Sequence, residues 1–220
     1  MTSAFPGTPR TLRAGLVLAD PATLVVQRVI ALQYNPDSLT RSLQVRGVTG
    51  EGGDRLDALR LTGPPVETIK LDAEIDATDQ LEAPQDNPTA ILLGIQPQLA
   101  ALETVIYPPN AQIQNENTMA QAGTIEVAPM EAPLQIFVWS SSRVLPVRIT
   151  EFSVTEEAFD VNLNPIRAKI SLGMRVLSVM DLSFDHKGNG LFMAYHQQKE
   201  RLAMLAGGNS LSMLGISKIG

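Results

Sequence analysis

Cysteine is absent from the sequence, which removes disulfides, thiolate metal sites and cysteine nucleophiles together. The absence fits synthesis in the cytoplasm. Histidine is nearly absent too. His186 lies in the turn-like stretch Asp185-His186-Lys187-Gly188 and His196 in a helical one, with no His-x-x-x-His or comparable spacing. Both read as solvated side chains, and no metal is expected. Basic charge is in deficit: the net charge is −6 and the pI about 4.9, so the chain lacks the electrostatic footprint of a nucleic-acid or membrane-surface binder. Aromatic residues make up 5% of the chain, and the lone Trp139 reads as a core or interface residue, not a sugar platform. No apolar run approaches the ~20 residues of a membrane span. Residues 1–10 show no apolar run behind a basic start, so no secretory signal is expected.

The signatures of catalysis are missing as well. Residues 47–53 are glycine-rich, but no Gly-Lys-Ser/Thr follows, and Asp54 and Asp57 would repel phosphate; a hairpin tip is the expected structure. There is no Gly-x-Ser-x-Gly elbow, and Ser140-Ser141-Ser142 reads as a turn. Asp54, Arg55, Asp57 and Arg60 mix both charges and read as surface. No catalytic residue and no cofactor is expected. The chain reads as a non-enzyme.

What is present is alternation. Hydrophobic residues are 44% of 220 and charged residues 18%, enough for one domain with a sizeable core and an appendage. In residues 166–184, Ile166, Ala168, Ile170, Leu172, Met174, Val176, Met180, Leu182 and Phe184 share one parity, while Arg167, Lys169, Ser171, Arg175 and Asp181 share the other. That predicts one long bent strand, or two meeting at Gly173 or Ser178. Residues 12–18 alternate similarly. Residues 24–46 read as a hairpin around Asn35-Pro36-Asp37-Ser38, with Thr40, Ser42, Gln44 and Arg46 on its polar side. Residues 66–76 place Ile69, Leu71, Ala73 and Ile75 opposite Lys70, Asp72, Glu74 and Asp76. These alternate acids suit either a solvated sheet face, a pore lining or Ca²⁺, although a straight strand spaces Ca²⁺ ligands poorly. Strands are also expected over 134–138 and 143–154, with Pro146 marking an edge or bulge and a parity shift between Ile149 and Phe152 marking a bulge.

Helical spacing appears twice. Ile91, Ile95, Leu99, Leu102 and Ile106 predict a helix over about 88–106, capped by Asn87 with Pro88 at its first position and split or kinked at Pro97. Leu191, Tyr195, Gln198, Leu202 and Leu205 predict a second helix, stopped at Gly207-Gly208. Residues 47–54, 77–87 and 110–129 read as loops. The tail from Gly207 reads as a flexible extension whose Leu211, Met213, Leu214 and Ile216 suit docking onto a neighbour.

Several segments, taken in order, resemble contractile injection system tube proteins. They are residues 32–41 (LQYNPDSLTR), 65–76 (PVETIKLDAEID), 94–103 (GIQPQLAALE), 144–149 (VLPVRI), 155–160 (TEEAFD) and 163–168 (LNPIRA). The family includes baseplate tube initiators and related phage tail tube proteins. The resemblance implies a mainly β (α+β) subunit, an antiparallel barrel-like tail-tube fold over residues 1–186 with flanking helices, followed by a C-terminal helix and flexible tail over 187–220. It implies a homo-hexameric ring between a spike hub protein and the inner tube protein, touching other baseplate proteins and initiating tube assembly. Relatives often carry a LysM domain after the second helix, which the 220 residues leave no room for. Assembly into a phage tail-like particle is expected in the cytoplasm, with release left open. The alternatives are a repeating inner-tube subunit and, in another class, a small β-barrel ligand binder or enzyme. In the tube readings Thr40, Ser42, Gln44, Arg46, Lys70, Asp72, Glu74 and Asp76 would line a lumen or a contact between subunits.

Overall fold

The computed structural model describes residues 12–47, 60–121, 123, 132–206 and 211–219. The expectations for residues 1–10, for most of the glycine-rich 47–54 stretch, for residues 124–129 and for Gly207-Gly208 lie outside those residues.

The alternating segments form seven strands: β1 (Gly15–Ala19), β2 (Val26–Ala31), β3 (Leu39–Gln44), β4 (Val66–Asp76), β5 (Leu134–Ser140), β6 (Arg143–Glu156) and β7 (Arg167–Val176). They make one sheet in the order β2-β1-β5-β6-β7-β4-β3 with every pairing antiparallel. Period two sorts their side chains. In β4, Ile69, Leu71, Ala73 and Ile75 are buried while Lys70, Asp72 and Glu74 are exposed. In β7, Ala168, Ile170, Leu172, Met174 and Val176 are buried while Lys169 and Ser171 are exposed. The inward set joins Leu16, Phe137, Leu145 and Val147 in the main core. Each fully buried Leu, Ile or Phe there contributes about 1.5–3 kcal/mol relative to exposure. The fold is mainly β with helices, as expected.

Among the described residues the sheet does not close, because β2 and β3 stand at its two ends and are not paired with each other. The hairpin expected over 24–46 is therefore not formed. β2 pairs with β1, across a turn in which Asp20 Oδ1 accepts from the Ala22 and Thr23 N–H groups, and β3 pairs with β4. The turn signal at 35–38 is genuine, but it carries the chain from one end of the sheet to the other. Leu32 N–H donates to the Ala14 carbonyl at 2.8 Å. Asn35 accepts from the Ala14 N–H at 2.9 Å and donates to the Leu12 carbonyl at 2.7 Å.

Pro146 lies in an interior strand, between β5 and β7, instead of at an edge or bulge. Its carbonyl accepts from Leu177 N–H, so its missing donor points to where β7 has already ended. The bulge does occur, between Ile149 and Glu151. Gly173 lies opposite it, where a Cβ would stand 2.9 Å from the Glu151 Cβ.

The first helical region is split as Pro97 suggests, into α2 (Pro88–Leu93) and α3 (Gln96–Glu103), following the short α1 (Thr78–Leu81). Asn87 occupies the cap position of α2 but makes no capping bond; its amide donates to the Ala83 carbonyl. Leu99 and Leu102 of α3 seal the core. Residues 110–121, expected as loop, form the helix α4 (Asn110–Gln121), which buries no residue. It has no apolar stripe to read and is held locally, by contacts such as Gln112 to Glu116 at 2.9 Å. The last helix, α5 (Lys187–Leu205), buries Phe192 and Tyr195, while Leu202 and Leu205 of the expected stripe are exposed. A 3₁₀ turn, Leu211–Leu214, follows.

Candidate functional site: a polar sheet face with two open edges

Four neighbouring strands, β6-β7-β4-β3, present one polar surface. On β3 it carries Thr40, Ser42 and Gln44, and on β4 Lys70, Asp72 and Glu74, all exposed. Thr40 stands opposite Lys70, so the two sequence-predicted sets meet on one face. Arg46 lies beyond the end of β3, where its carbonyl accepts from Thr62 N–H. Asp76 is only half-buried and is occupied by Thr78 and Arg167. The other half of the face comes from Lys169 and Ser171 of β7 and Glu151, Ser153 and Thr155 of β6. Their alternation was visible in the sequence, but only the pairing of β7 with both β4 and β6 brings them beside the predicted residues.

The charges on this face largely cancel one another. Lys70 Nζ meets Glu151 at 2.6 Å, Arg167 meets Asp76 at 2.8 Å, and Lys169 meets Glu157 at 2.8 Å. For Asp76, burial pulls the carboxyl pKa upward, but the hydrogen bonds from Thr78 and Arg167 outweigh it and leave the pKa below its usual value. Arg167 and Lys169 are correspondingly raised, by the hydrogen bonds to Asp76 and Glu157. The surface is polar and mildly acidic, since Asp72 and Glu74 stand in excess of these three pairs. Among the described residues, no three His, Asp or Glu side chains are grouped to hold a metal ion, and no helix is long and apolar enough to cross a membrane.

The two margins of this four-stranded section are open. β6 is 14 residues long, yet β5 pairs with it only as far as Val147. Among the described residues, 148–156, about 30 Å at the usual rise per residue, pair with no strand but β7. Glu157 N–H donates to the Arg167 carbonyl, which sets the phase. Glu151, Ser153 and Thr155 turn their main-chain groups to β7, and Phe152, Val154 and Glu156 turn theirs outward. At the other margin, Thr40, Ser42 and Gln44 bond to β4, so Arg41 and Leu43 turn theirs outward. Leu43 and the following Val45 are 49% and 69% exposed.

Two glutamines stand where the neighbouring strands give out. Gln135 Oε1 accepts from Ile149 N–H at 3.0 Å, at the start of the bare half of β6. Gln33 accepts from Asp76 N–H at 3.0 Å and donates to the Asp76 carbonyl at 2.6 Å, at the end of β4 left unpaired by β3. The Gln33 amide thus makes both bonds of a strand residue, while that of Gln135 makes one and donates instead to the Val105 carbonyl.

A buried ionic cluster fixes α5 to the β3–β4 end of the sheet. Glu67 sits on the apolar parity of β4 and is 4% exposed. It receives Arg41 at 2.7 Å, Lys199 at 2.9 Å and the Tyr195 hydroxyl at 3.4 Å. A carboxylate at an apolar position of β4 was the sequence signal for it, and it was missed. Burial raises the Glu67 pKa, but the hydrogen bonds from Lys199 and Arg41 more than offset that and leave it lowered. The stability it contributes is therefore complete above its unfolded pKa of about 4.3 and is lost as the pH falls through the lower folded value. Glu67→Gln is expected to cost about 2–4 kcal/mol at neutral pH, because Arg41 and Lys199 lose their shared acceptor. The gap between variant and parent in urea midpoint narrows in acid below that range. His186, read as a solvated turn residue, caps α5: its Nδ1 accepts from Gly188 N–H at 3.0 Å.

No family model matches the chain, and no curated protein matches it. Among solved structures, the chain is similar to one in the tail of an empty GTA particle, refined with helical C6 symmetry. The identity is 11%, over 74% of this chain and 90% of that one, with a TM-score of 0.28, at which the two folds are not equated.

Proposed function

We propose that the protein is a non-enzymatic structural subunit of a contractile injection system, a baseplate tube initiator whose six copies close into a ring between the spike hub and the inner tube. The observation that carries this is the β6-β7-β4-β3 section, with its polar face and two open edges. When the bare half of β6 meets the free edge of β3 from the next copy, the main-chain groups of Phe152 and Val154 find those of Arg41 and Leu43. The apolar side chains then continue the core side, and Ser153, Thr155, Thr40 and Ser42 continue the polar side. Repetition around a ring removes both edges and turns the polar face into the wall of a wet lumen. The segments resembling tube proteins include much of β4, the start of β6 and the loop into β7. They support the same reading.

In this reading the activity is mechanical: the ring templates tube growth on the spike, and no cofactor takes part. α4 and α5 add bulk outside the sheet, which favours an adapter over the repeating tube subunit. Negative-stain electron microscopy of the purified protein, alone and mixed with its spike hub, tests it. Six-fold rings, stacked on the spike when it is present, are expected. Monodisperse monomers in both samples overturn the reading, and long tubes formed without the spike replace it with the repeating subunit.

A further inference from the structure

Between α5 and the segment leading into β4 lies a groove of about 450 Å³, walled by Leu61, Pro64, Pro65, Val179, Phe192 and Met193. Tyr195, Lys199 and Glu67 line it as well, but they satisfy one another: Lys199 stands 4.2 Å over the Tyr195 ring and 2.9 Å from Glu67. The groove therefore offers apolar surface rather than free charge. At its mouth Leu61 is 70% exposed.

The same chain carries an apolar knob. Beyond α5, the Leu211–Leu214 turn is closed by Gly215 N–H to the Ser212 carbonyl at 3.1 Å and by Ile216 N–H to the Leu211 carbonyl at 3.3 Å. Gly215 makes this closure at a φ of 73°. Met213, Leu214 and Ile219 are 73%, 75% and 80% exposed.

We propose that the knob of one copy seats in the groove of the next. This rests on the ring reading above for its choice of partner. The knob does not line its own groove. The groove also adjoins the open edge of β3: Leu61 bridges to Gly47 just past that strand, and Glu67 holds Arg41 within it. A copy arriving at that edge comes directly against the groove. The charges agree: the knob carries Lys218, and His196, which lines the groove, lies 3.4 Å from Glu200, 64% exposed. Each copy gives a knob and receives one, a head-to-tail contact that propagates around a ring. Its burial adds apolar area to the strand-to-strand junction.

Because the chain has no cysteine, the contact can be read by disulfide trapping in the full-length protein. Met213→Cys and Leu61→Cys are prepared as separate single-cysteine proteins and oxidised mildly, alone and mixed. Both positions are exposed, so folding is not at risk. A covalent dimer that forms in the mixture at least ten times faster than in either protein alone is expected. The double variant then yields covalent chains of several copies. A disulfide confined within single copies of the double variant assigns the groove to the chain's own knob and overturns the proposal. Equal trapping in the mixture and the separate proteins overturns it too. This readout is independent of ring images: rings without trapping reject the knob alone, and trapping without six-fold rings rejects the ring alone.

Discussion

Val154→Pro gives a folded protein that no longer forms rings. The main-chain N–H of Val154 points out of the sheet, so proline there removes no bond between β6 and β7. Proline is tolerated on an edge strand when its missing donor faces outward. The same substitution removes a donor from the strand that the next copy must extend, and its ring blocks close approach. The expected result is a parent-like circular dichroism spectrum, a melting temperature lowered by no more than a few degrees, and no rings at concentrations where the parent assembles. Thr155→Pro is the comparison. Its N–H faces β7, so it costs a ladder bond within the fold, about 3 kcal/mol with the accompanying strain. If Val154→Pro forms normal rings, the bare half of β6 is not the joining edge.

Gly94→Ala is expected to destabilise the fold strongly. Gly94 ends α2 at a φ of 58°, and a Cβ there would lie 2.1 Å from the Pro165 carbonyl oxygen. That oxygen is already the acceptor for Ile95 N–H at 2.9 Å, and Asn164 donates to the Leu92 carbonyl at 3.1 Å. The close approach is what docks the α2–α3 corner onto the loop before β7. Left-handed strain and displacement of backbone together cost about 3 kcal/mol. For a chain of this size that lowers the melting temperature by about 6–12 °C. Gly190→Ala is the control: the position is helical, in α5, with open space around its would-be Cβ. There alanine is expected to stabilise by about 0.5–1 kcal/mol. Equal and small effects of the two substitutions, read from urea midpoints, would show that the corner moves freely.

The sequence made the strands legible because one side of the sheet is buried and the other is not. In β4 and β7 nearly every inward position is apolar and nearly every outward one polar, so period two could be read directly. Partner choice was not legible. The Asn35-Pro36 turn looks the same whether the flanking strands pair or separate, and only contacts distant in sequence, such as Gln33 with Asp76, decide between them. α4 escaped notice because a helix that buries nothing leaves no periodic trace. Half of the candidate face was named from β3 and β4. The half from β6 and β7 was not named, because alternation along a strand does not say which strands it pairs with.

The strand order also constrains how the chain folds. β1–β2 and β3–β4 are local hairpins made early in the chain, but neither touches the other within the sheet. They are bridged by the β5-β6-β7 meander, which comes last. Arg167 reaches back across 91 residues to Asp76, and β1 waits for β5. A nascent chain that stops short of β5 thus holds two hairpins, each with its inward face bare. With so much non-local pairing, folding belongs in the millisecond-to-second range rather than the microsecond one. The polar face is therefore completed only when the last strand of the sheet, β7, pairs with both β4 and β6.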